Sequence, residues 1–553
     1  MPSLDWIGRQ AVINHYKEIP YHLLETNKKL SYNIDEADGN VIVHGDNLVA
    51  LKALLPYYAR SVKFCYIDVP YNTGNEEWIY NDNVNDPQIR KWLGQVVGKE
   101  LDDLSRHDKW LCMMYPRLQL LKDFLRDDGI ICVQIDDSEG ANLKVIMDEI
   151  FHSSNYLATI YIQVRYADKT LKQDMYFHKQ IEQILVYRKS PKAKPYLQSE
   201  DYSYDKFVFS IQEKGQGKEI ELGGKKVIIF KPGQYEIIEH ENGFKEGLKE
   251  IWASGTILDG NSSGRFFRDY LADRKEIDGL GVLYKVYGIG DDMYGYRYFT
   301  GPKRKNATKG KYYQGVPLDK LEDDAVRIKS IPNFYDMAAD FGNCRHEGGV
   351  EFKSGKKPEK LLAMLLEYFT SEGDIVMDSF AGSGTTAAVA HKMKRKWIAV
   401  EMGDHCYTHV QKRLLSVVKG EDNTGVTKQY NWQGGGGFIF YELSVPLTDK
   451  YGQINKNVSY EHLAKHIFFT ETGNAISEDD LSEKPLIGIY KQTSYFLLYE
   501  KEQDTVLDSS ILDYINQFDG FKVVYADRCV IGNSYLKSHG ITFKQIPYQV
   551  EVR

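Results

Sequence analysis

The stretch "DIVMDSFAGSGTTAAVAHKMKRKWIAVEM", Asp374 to Met402, decides the fold class. An apolar run ends at Phe380, glycines follow at Gly382 and Gly384, a segment rich in alanine and threonine reads as a helix from about Thr385, and a second apolar run ends on Glu401. A glycine turn between strand and helix lets the backbone approach a ligand closely and directs free N–H groups toward it. An acid at the end of the next strand, seventeen residues after Gly384, can accept hydrogen bonds from both hydroxyls of a ribose. No Gly-Lys-Ser/Thr is present to cradle phosphates, and the dinucleotide pattern Gly-x-Gly-x-x-Gly is incomplete, because Thr385, Thr386 and Ala387 follow Gly384. The pattern favours an adenosyl cofactor without phosphates, and S-adenosylmethionine fits. The simpler alternative is a structural turn with a charge at a strand end.

The same alternation of strand and helix recurs toward the N-terminus. "NVIVHGD" (40–46), "SVKFCYID" (61–68) and "GIICVQID" (from 129) read as strands, and "QILVYRK" (183–189) closes the block. "NLVALKALLPYYA", "LCMMYPRLQLLKDFLRDD" and "GANLKVIMDEIF" read as helices among them. Short, almost wholly apolar strands separated by helices predict a doubly wound, mostly parallel α/β sheet covered on both faces. From about 191 the pattern changes to tyrosine-rich pieces with many glycines, and at 352 the α/β pattern resumes with "KPEKLLAMLLEYFT". Glycines mark a further break at "WQGGGGF" (432–438), and "FKVVYADRCVIGNSYLKSHGITFKQIPYQV" reads as strand, helix and strand. The expected divisions are an N-terminal segment 1–37, α/β parts at 38–190 and 336–430, an inserted domain at 191–335 and a C-terminal α/β domain at 431–553.

Composition narrows the class. A chain of 553 residues with 42% hydrophobic and 27% charged residues is expected to fold as about three to four domains. Six scattered cysteines without a Cys-x-x-Cys pair read as buried thiols of a reducing compartment, not as metal ligands. No apolar run reaches a membrane span and the N-terminus lacks a signal-peptide core, so a cytoplasmic location is expected. The net charge of -8 requires any nucleic-acid contact to come from local positive charge. Residues 301–315, "GPKRKNATKGKYYQG", offer it: Lys303, Arg304, Lys305, Lys309 and Lys311 with no acid, beside Tyr312 and Tyr313. A solvated loop is the competing reading. The 40 tyrosines likewise divide between contact with bases and the filling of half-buried strands.

A second motif joins the glycine turn. "YIDVPYNTGNEEWIYND" (66–82) leaves an apolar strand on Asp68, Pro70 and Tyr71. Asp68-x-Pro70-Tyr71 together with Phe380-x-Gly382-x-Gly384 resembles the amino-methyltransferases of DNA, whose signatures are Asp-Pro-Pro-Tyr and Phe-x-Gly-x-Gly. The catalytic strand precedes the cofactor loop, a circularly permuted order similar to the beta class. "VHGDNLVALKALLPYY", "MMYPRLQLLKDFLRDDG" and "IDDSEGANLKVIMDEIF" look most like modification subunits of type III restriction systems, with the resemblance running over roughly 38–420.

The resemblance implies a Rossmann-like methyltransferase with an inserted target-recognition domain at 191–335, acting on adenine N6 in duplex DNA after rotating the base out of the helix. It implies that Asp46 lies near the cofactor's adenine, although an Asp at that place would also cap the following helix. Asp378, Phe380, Gly382, Gly384 and Glu401 are implied to line the methionine and ribose, with Lys357 and Pro358 of "FKSGKKP" at the methionine end. An exocyclic amino group is a poor nucleophile until acceptors draw its N–H bonds. The Asp68 carboxylate and the Val69 carbonyl are the expected acceptors, with Asp68 also taking the proton, and Tyr71 is the expected stacking face. Valine stands at position 69 where the family has proline. It lacks the locked φ, but β-branching and the following Pro70 favour the same extended backbone. The alternative function is a DNA-binding recognition subunit whose methylation is crippled by Val69; an RNA or protein amide is a further candidate substrate. Implied partners are double-stranded DNA, a second copy of the chain and a restriction subunit with ATPase and endonuclease activity.

Overall fold

The structure is a computed structural model and describes residues 4–72, 106–168, 176–253, 262–307, 309–321, 326–352, 355–476, 481, 484–501 and 503–550. The chain forms two compact units, one of residues 1–196 and 332–553 and one of residues 197–331.

The first unit is organised by a ten-stranded sheet. In spatial order its strands are His22–Thr26, Ile439–Pro446, Val41–His44, Lys396–Glu401, Ile375–Asp378, Val62–Asp68, Leu125–Ile135, Ile181–Arg188, Tyr156–Gln163 and Phe334–Asp336. The central strands are parallel, as their unbroken apolar runs require when helices cover both faces. Val62, Phe64, Cys65, Tyr66 and Ile67 are all buried; the one charge among them, Lys63, is neutralised by Asp128 at 2.9 Å.

Val62–Asp68 and Ile375–Asp378 are immediate parallel neighbours, with Cys65 opposite Met377. From Ile375–Asp378 the chain passes through the helix Thr385–Lys392 to Lys396–Glu401 on one side, whereas Leu125–Ile135, preceded by the helix Arg106–Phe124, lies on the other. Such a reversal of strand order opens a crevice at the carboxyl ends of the strands. The permuted order is thereby reconciled: the Asp68 strand and the glycine-turn strand, remote in sequence, lie side by side.

Several expected boundaries move. Ile181–Arg188 closes its block antiparallel to Leu125–Ile135, next to the unanticipated strand Tyr156–Gln163. The N-terminal segment is no separate piece, because His22–Thr26 pairs with Ile439–Pro446, and the latter, assigned to the C-terminal domain, continues the main sheet beside Val41–His44. Ile439–Pro446 occupies the backbone donors and acceptors that Val41–His44 would otherwise leave open at the sheet edge, and His22–Thr26 in turn covers Ile439–Pro446. Phe334 and Tyr335, at the end of the expected inserted domain, belong instead to the strand Phe334–Asp336, which pairs with Tyr156–Gln163. The last stretch is the expected strand, helix and strand: Phe521–Ala526 and Ile541–Gln545 run parallel with Asn533–Ser538 between them.

The second unit carries a six-stranded antiparallel sheet, Lys249–Ala253, Gly310–Gln314, Tyr296–Thr300, Leu283–Tyr287, Lys225–Phe230 and Lys218–Leu222 in spatial order. Val227, Phe267, Leu271, Phe299 and Tyr312 share its core. Tyr284, Tyr298, Tyr312 and Tyr313 are buried, so for these four the strand-filling reading holds. Among the described residues no helix is long and apolar enough to cross a membrane, and the six cysteines, five of them buried, form no disulfide.

Candidate active site

Asp68 ends its strand half-buried, with both carboxylate oxygens engaged. Lys357 Nζ lies 2.8 Å from Oδ2, and the Tyr71 hydroxyl is 2.9 Å from Oδ1. The same hydroxyl is 2.7 Å from Glu182 Oε2, to which Gln134 Nε2 donates at 2.6 Å. Tyr66 donates to Gln134 Oε1, and Lys357 is also 3.5 Å from Glu182 Oε2. Its ammonium faces the Tyr71 ring, 5.1 Å from the centroid. Position is reinforced from below: the Trp110 indole donates to the Pro70 carbonyl at 2.6 Å, and Val69 is 2% exposed within the main core. The polar loop of the motif from residue 73 lies outside the described residues.

Burial divides the charges unequally. It pushes the Asp68 carboxyl up to about 6, against the lowering pull of Lys357. Burial would also raise Glu182, but Lys357 and the hydrogen bonds from Tyr71 and Gln134 hold it below the usual range. For Lys357 desolvation favours the neutral amine, yet Asp68 and Glu182 outweigh it and raise its pKa. Lys357 is therefore a fixed cation, Glu182 a fixed anion, and Asp68 the member able to gain a proton near neutrality.

The cofactor motif forms the adjoining wall. Gly382 (φ 57) and Gly384 (φ 76) adopt left-handed backbone, which carries a side-chain penalty for other residues. Gly384 caps the helix Thr385–Lys392. Glu401 is buried: Oε2 accepts the Gly382 N–H at 2.8 Å, whereas Oε1 accepts the N–H groups of Met402 at 2.8 Å and Gly403 at 3.2 Å and faces His405 at 2.8 Å. Asp378 accepts the Phe380 N–H at 2.9 Å and the Thr386 hydroxyl at 2.6 Å. Its carboxyl is pushed up to about 7 by burial, countered by those two bonds and assisted by Asp68 and Glu401.

A cleft of about 350 Å3, counting its solvent-open part, is lined by Asp68, Lys357, Asp378, Phe380, Gly382 and their neighbours. It thus unites residues from both motifs. The lining holds two carboxylates, Asp68 and Asp378, and one ammonium already paired with Asp68, so the cleft suits a cationic, phosphate-free ligand. With the glycine turn and the Glu401 carboxylate beside it, the residues fit S-adenosylmethionine.

Not every expected residue lines this cleft. Asp46 caps the helix Asn47–Tyr58, with Oδ1 accepting from Leu48 N at 2.9 Å, and its other oxygen binds Arg117 at 3.0 Å; the capping alternative describes its contacts. Pro358 is buried at the start of the helix Glu359–Phe369. Lys357, by contrast, lines the cleft and is paired there with Asp68. In the second unit Lys303, Arg304, Lys305 and Lys309 are exposed, whereas Lys311 is half-buried, ion-paired with Glu250 and 4.9 Å from the centre of the Trp252 ring. Sequence reasoning missed Glu182, Gln134 and Trp110. Each is a lone residue within an ordinary strand or helix pattern, and no local signal marks it.

Beneath the glycine turn lies a closed ion network. Lys392 is 2.7 Å from Glu359 and 2.6 Å from Asp422, and Arg413 is 2.8 Å from Glu359, with all three of Lys392, Arg413 and Glu359 fully buried. Arg413 also donates to the Thr385 hydroxyl at 2.8 Å. The helix that follows Lys357 and Pro358 is thereby tied to the turn carrying Gly382 and Gly384.

A family profile described as DNA methylase matches residues 62–412. The chain is 32% identical over 445 residues to a probable type III restriction-modification enzyme HindVI Mod subunit of Haemophilus influenzae, covering 73% of this chain and 54% of that protein. It is 27% identical over 443 residues to the type III EcoP15I Mod subunit of Escherichia coli, covering 71% and 62%. Against the EcoPI Mod subunit of Escherichia phage P1 it is 26% identical over 423 residues, covering 70% and 61%. The chain thus spans little more than half to three-fifths of the length of these relatives.

Proposed function

The chain belongs to the N6/N4 DNA methylase family, and from that premise we propose that it is a site-specific DNA methyltransferase modifying adenine N6 in duplex DNA with S-adenosylmethionine. The observation that carries this reading is the Asp68 carboxylate placed beside the glycine turn in one cleft. When bound, S-adenosylmethionine supplies an electrophilic methyl group. Gly382, Phe380, Asp378 and Glu401 would hold it, their carboxylates matching its positive charge.

Asp68 acts on the target base. Its carboxylate accepts an amino N–H and draws electron density onto nitrogen, aided by the Val69 carbonyl. Once nitrogen has gained a methyl group, it sheds one proton, which passes to Asp68. A carboxyl held near 6 is suited to that task, being ionised at neutral pH and yet a better base than an ordinary aspartate. Tyr71 supplies an aromatic face for the rotated base. Val69 supports function here, since its side chain is packed in the core and its main chain continues from the strand.

The second unit reads the DNA sequence in this proposal, with Lys303, Arg304, Lys305 and Lys309 contacting phosphates. Lys311 is the weaker member because Glu250 already neutralises it. Partnership with a second copy and with a restriction subunit, in the cytoplasm, follows the resemblance to Mod subunits.

The test is transfer of labelled methyl groups to mixed-sequence duplex DNA, followed by nucleoside analysis. Labelled N6-methyladenine is expected. Label in RNA or protein alone would overturn the reading, and DNA binding without transfer, restored by Val69→Pro, would instead favour a recognition subunit.

A further inference from the structure

Both groups bonded to Asp68 have a second partner in Glu182. The Tyr71 hydroxyl is 2.9 Å from Asp68 Oδ1 and 2.7 Å from Glu182 Oε2. The Lys357 ammonium is 2.8 Å from Asp68 Oδ2 and 3.5 Å from Glu182 Oε2. A phenol carries one proton and donates it to one carboxylate at a time. With a donor already beside each Asp68 oxygen, an arriving amino group competes with Lys357 and Tyr71 for the lone pairs of the carboxylate. A donor displaced inside a buried cluster is costly unless a new acceptor stands ready.

Glu182 is that acceptor, and its own place is secured. Gln134, which is fully buried, donates to Oε2 at 2.6 Å and is itself held by Tyr66. Small movements suffice for the exchange, since each donor already lies within 3.5 Å of its second partner.

We propose that Glu182 is a positioning residue that takes over the Lys357 ammonium and the Tyr71 hydroxyl when the amino group of the target base occupies Asp68. It frees the acceptor without leaving a buried cation unpaired, and it takes no proton from the substrate. The inference rests on the methyltransferase reading and extends it to a residue in neither motif.

The experiment compares the full chain with Glu182→Gln, which keeps size and removes charge. Single-turnover methyl transfer and its pH profile are measured alongside cofactor affinity by calorimetry, affinity for duplex DNA and Tm. The expected result is a rate constant lowered by about tenfold to a hundredfold, with both affinities within about twofold and Tm nearly unchanged. The acid limb should also move to lower pH. Asp68 is faced by Lys357, Glu182, Tyr71, Tyr66 and Asp378, and the substitution removes one of the anions that raise its pKa. A rate within about twofold of the parent with an unmoved acid limb overturns the proposal. So does a fall of rate, affinities and Tm together, the mark of a structural role. Absence of transfer by the parent protein itself would overturn the methyltransferase reading, a different failure from either of these.

Discussion

The Lys357 ammonium lies 2.8 Å from the Asp68 carboxylate, so a cation is built against the group proposed to receive the substrate's proton. The pair explains why Asp68 remains an acceptor despite burial: without Lys357 its pKa would climb further above the ordinary aspartate value. Asp68→Asn keeps the shape and removes the base. Methyl transfer should fall by about 10²–10⁴-fold with cofactor affinity retained, checked by labelled transfer and calorimetry.

Loss of activity toward acid follows from the same carboxyl. Asp68 works when ionised, and its pKa is about 6 in the folded protein. At saturating cofactor, the kcat/KM profile for DNA should be level above that value and fall as pH drops through it. A profile level down to the usual aspartate range would show that Asp68 does not titrate in the rate-determining step.

Cofactor affinity has a pH dependence of its own. Burial, followed by the charges of Asp68 and Glu401, pushes Asp378 up to about 7, so it ionises between pH 6 and 8 before cofactor binds. A cationic cofactor favours the ionised form, and binding should tighten as pH rises across this window. The linkage for stability has the opposite sign: a carboxyl raised by folding favours the protonated native state, so its contribution falls as pH climbs from the unfolded value toward 7. Calorimetry at the two ends of the window tests the first statement, and weaker binding at the alkaline end would refute it.

The buried network beneath the turn should be brittle. Glu359→Gln removes the carboxylate shared by Lys392 and Arg413; Lys392 keeps Asp422, and Arg413 loses its ion pair with Glu359. Removing one member of a buried ion pair costs about 3–5 kcal/mol. A marked fall in Tm and in denaturation midpoint is expected, with cofactor affinity weakened because Arg413 also holds Thr385.

Val69→Pro bears on the one departure from the family motif. The position is buried and leads directly from the strand. The rate should change by less than about threefold, under about 1 kcal/mol in barrier. A gain of several orders of magnitude would mean that the parent protein is a recognition subunit.

Much of the fold was legible because its signals are local. Apolar runs, the Gly382 and Gly384 turn and the cap at Asp46 each depend on residues a few positions apart. The buried tyrosines of the second unit were not legible, since tyrosine suits both a wet surface and a half-buried strand. Lys311 read as a free cation in a basic run, but its pairing partner Glu250 lies on another strand.

By itself the sequence determined the parallel α/β class, the turn that suits an adenosyl cofactor and the strand end bearing Asp68, because backbone preference and side-chain periodicity act over single elements. Tertiary structure alone decided that Lys357 would pair with Asp68, that Glu182 and Gln134 would stand behind Tyr71, and that Trp110 would hold the Pro70 carbonyl. These contacts join strands, helices and loops far apart in the chain. Their formation depends on the order in which strands assemble in the sheet, a property of the whole core that no short stretch encodes.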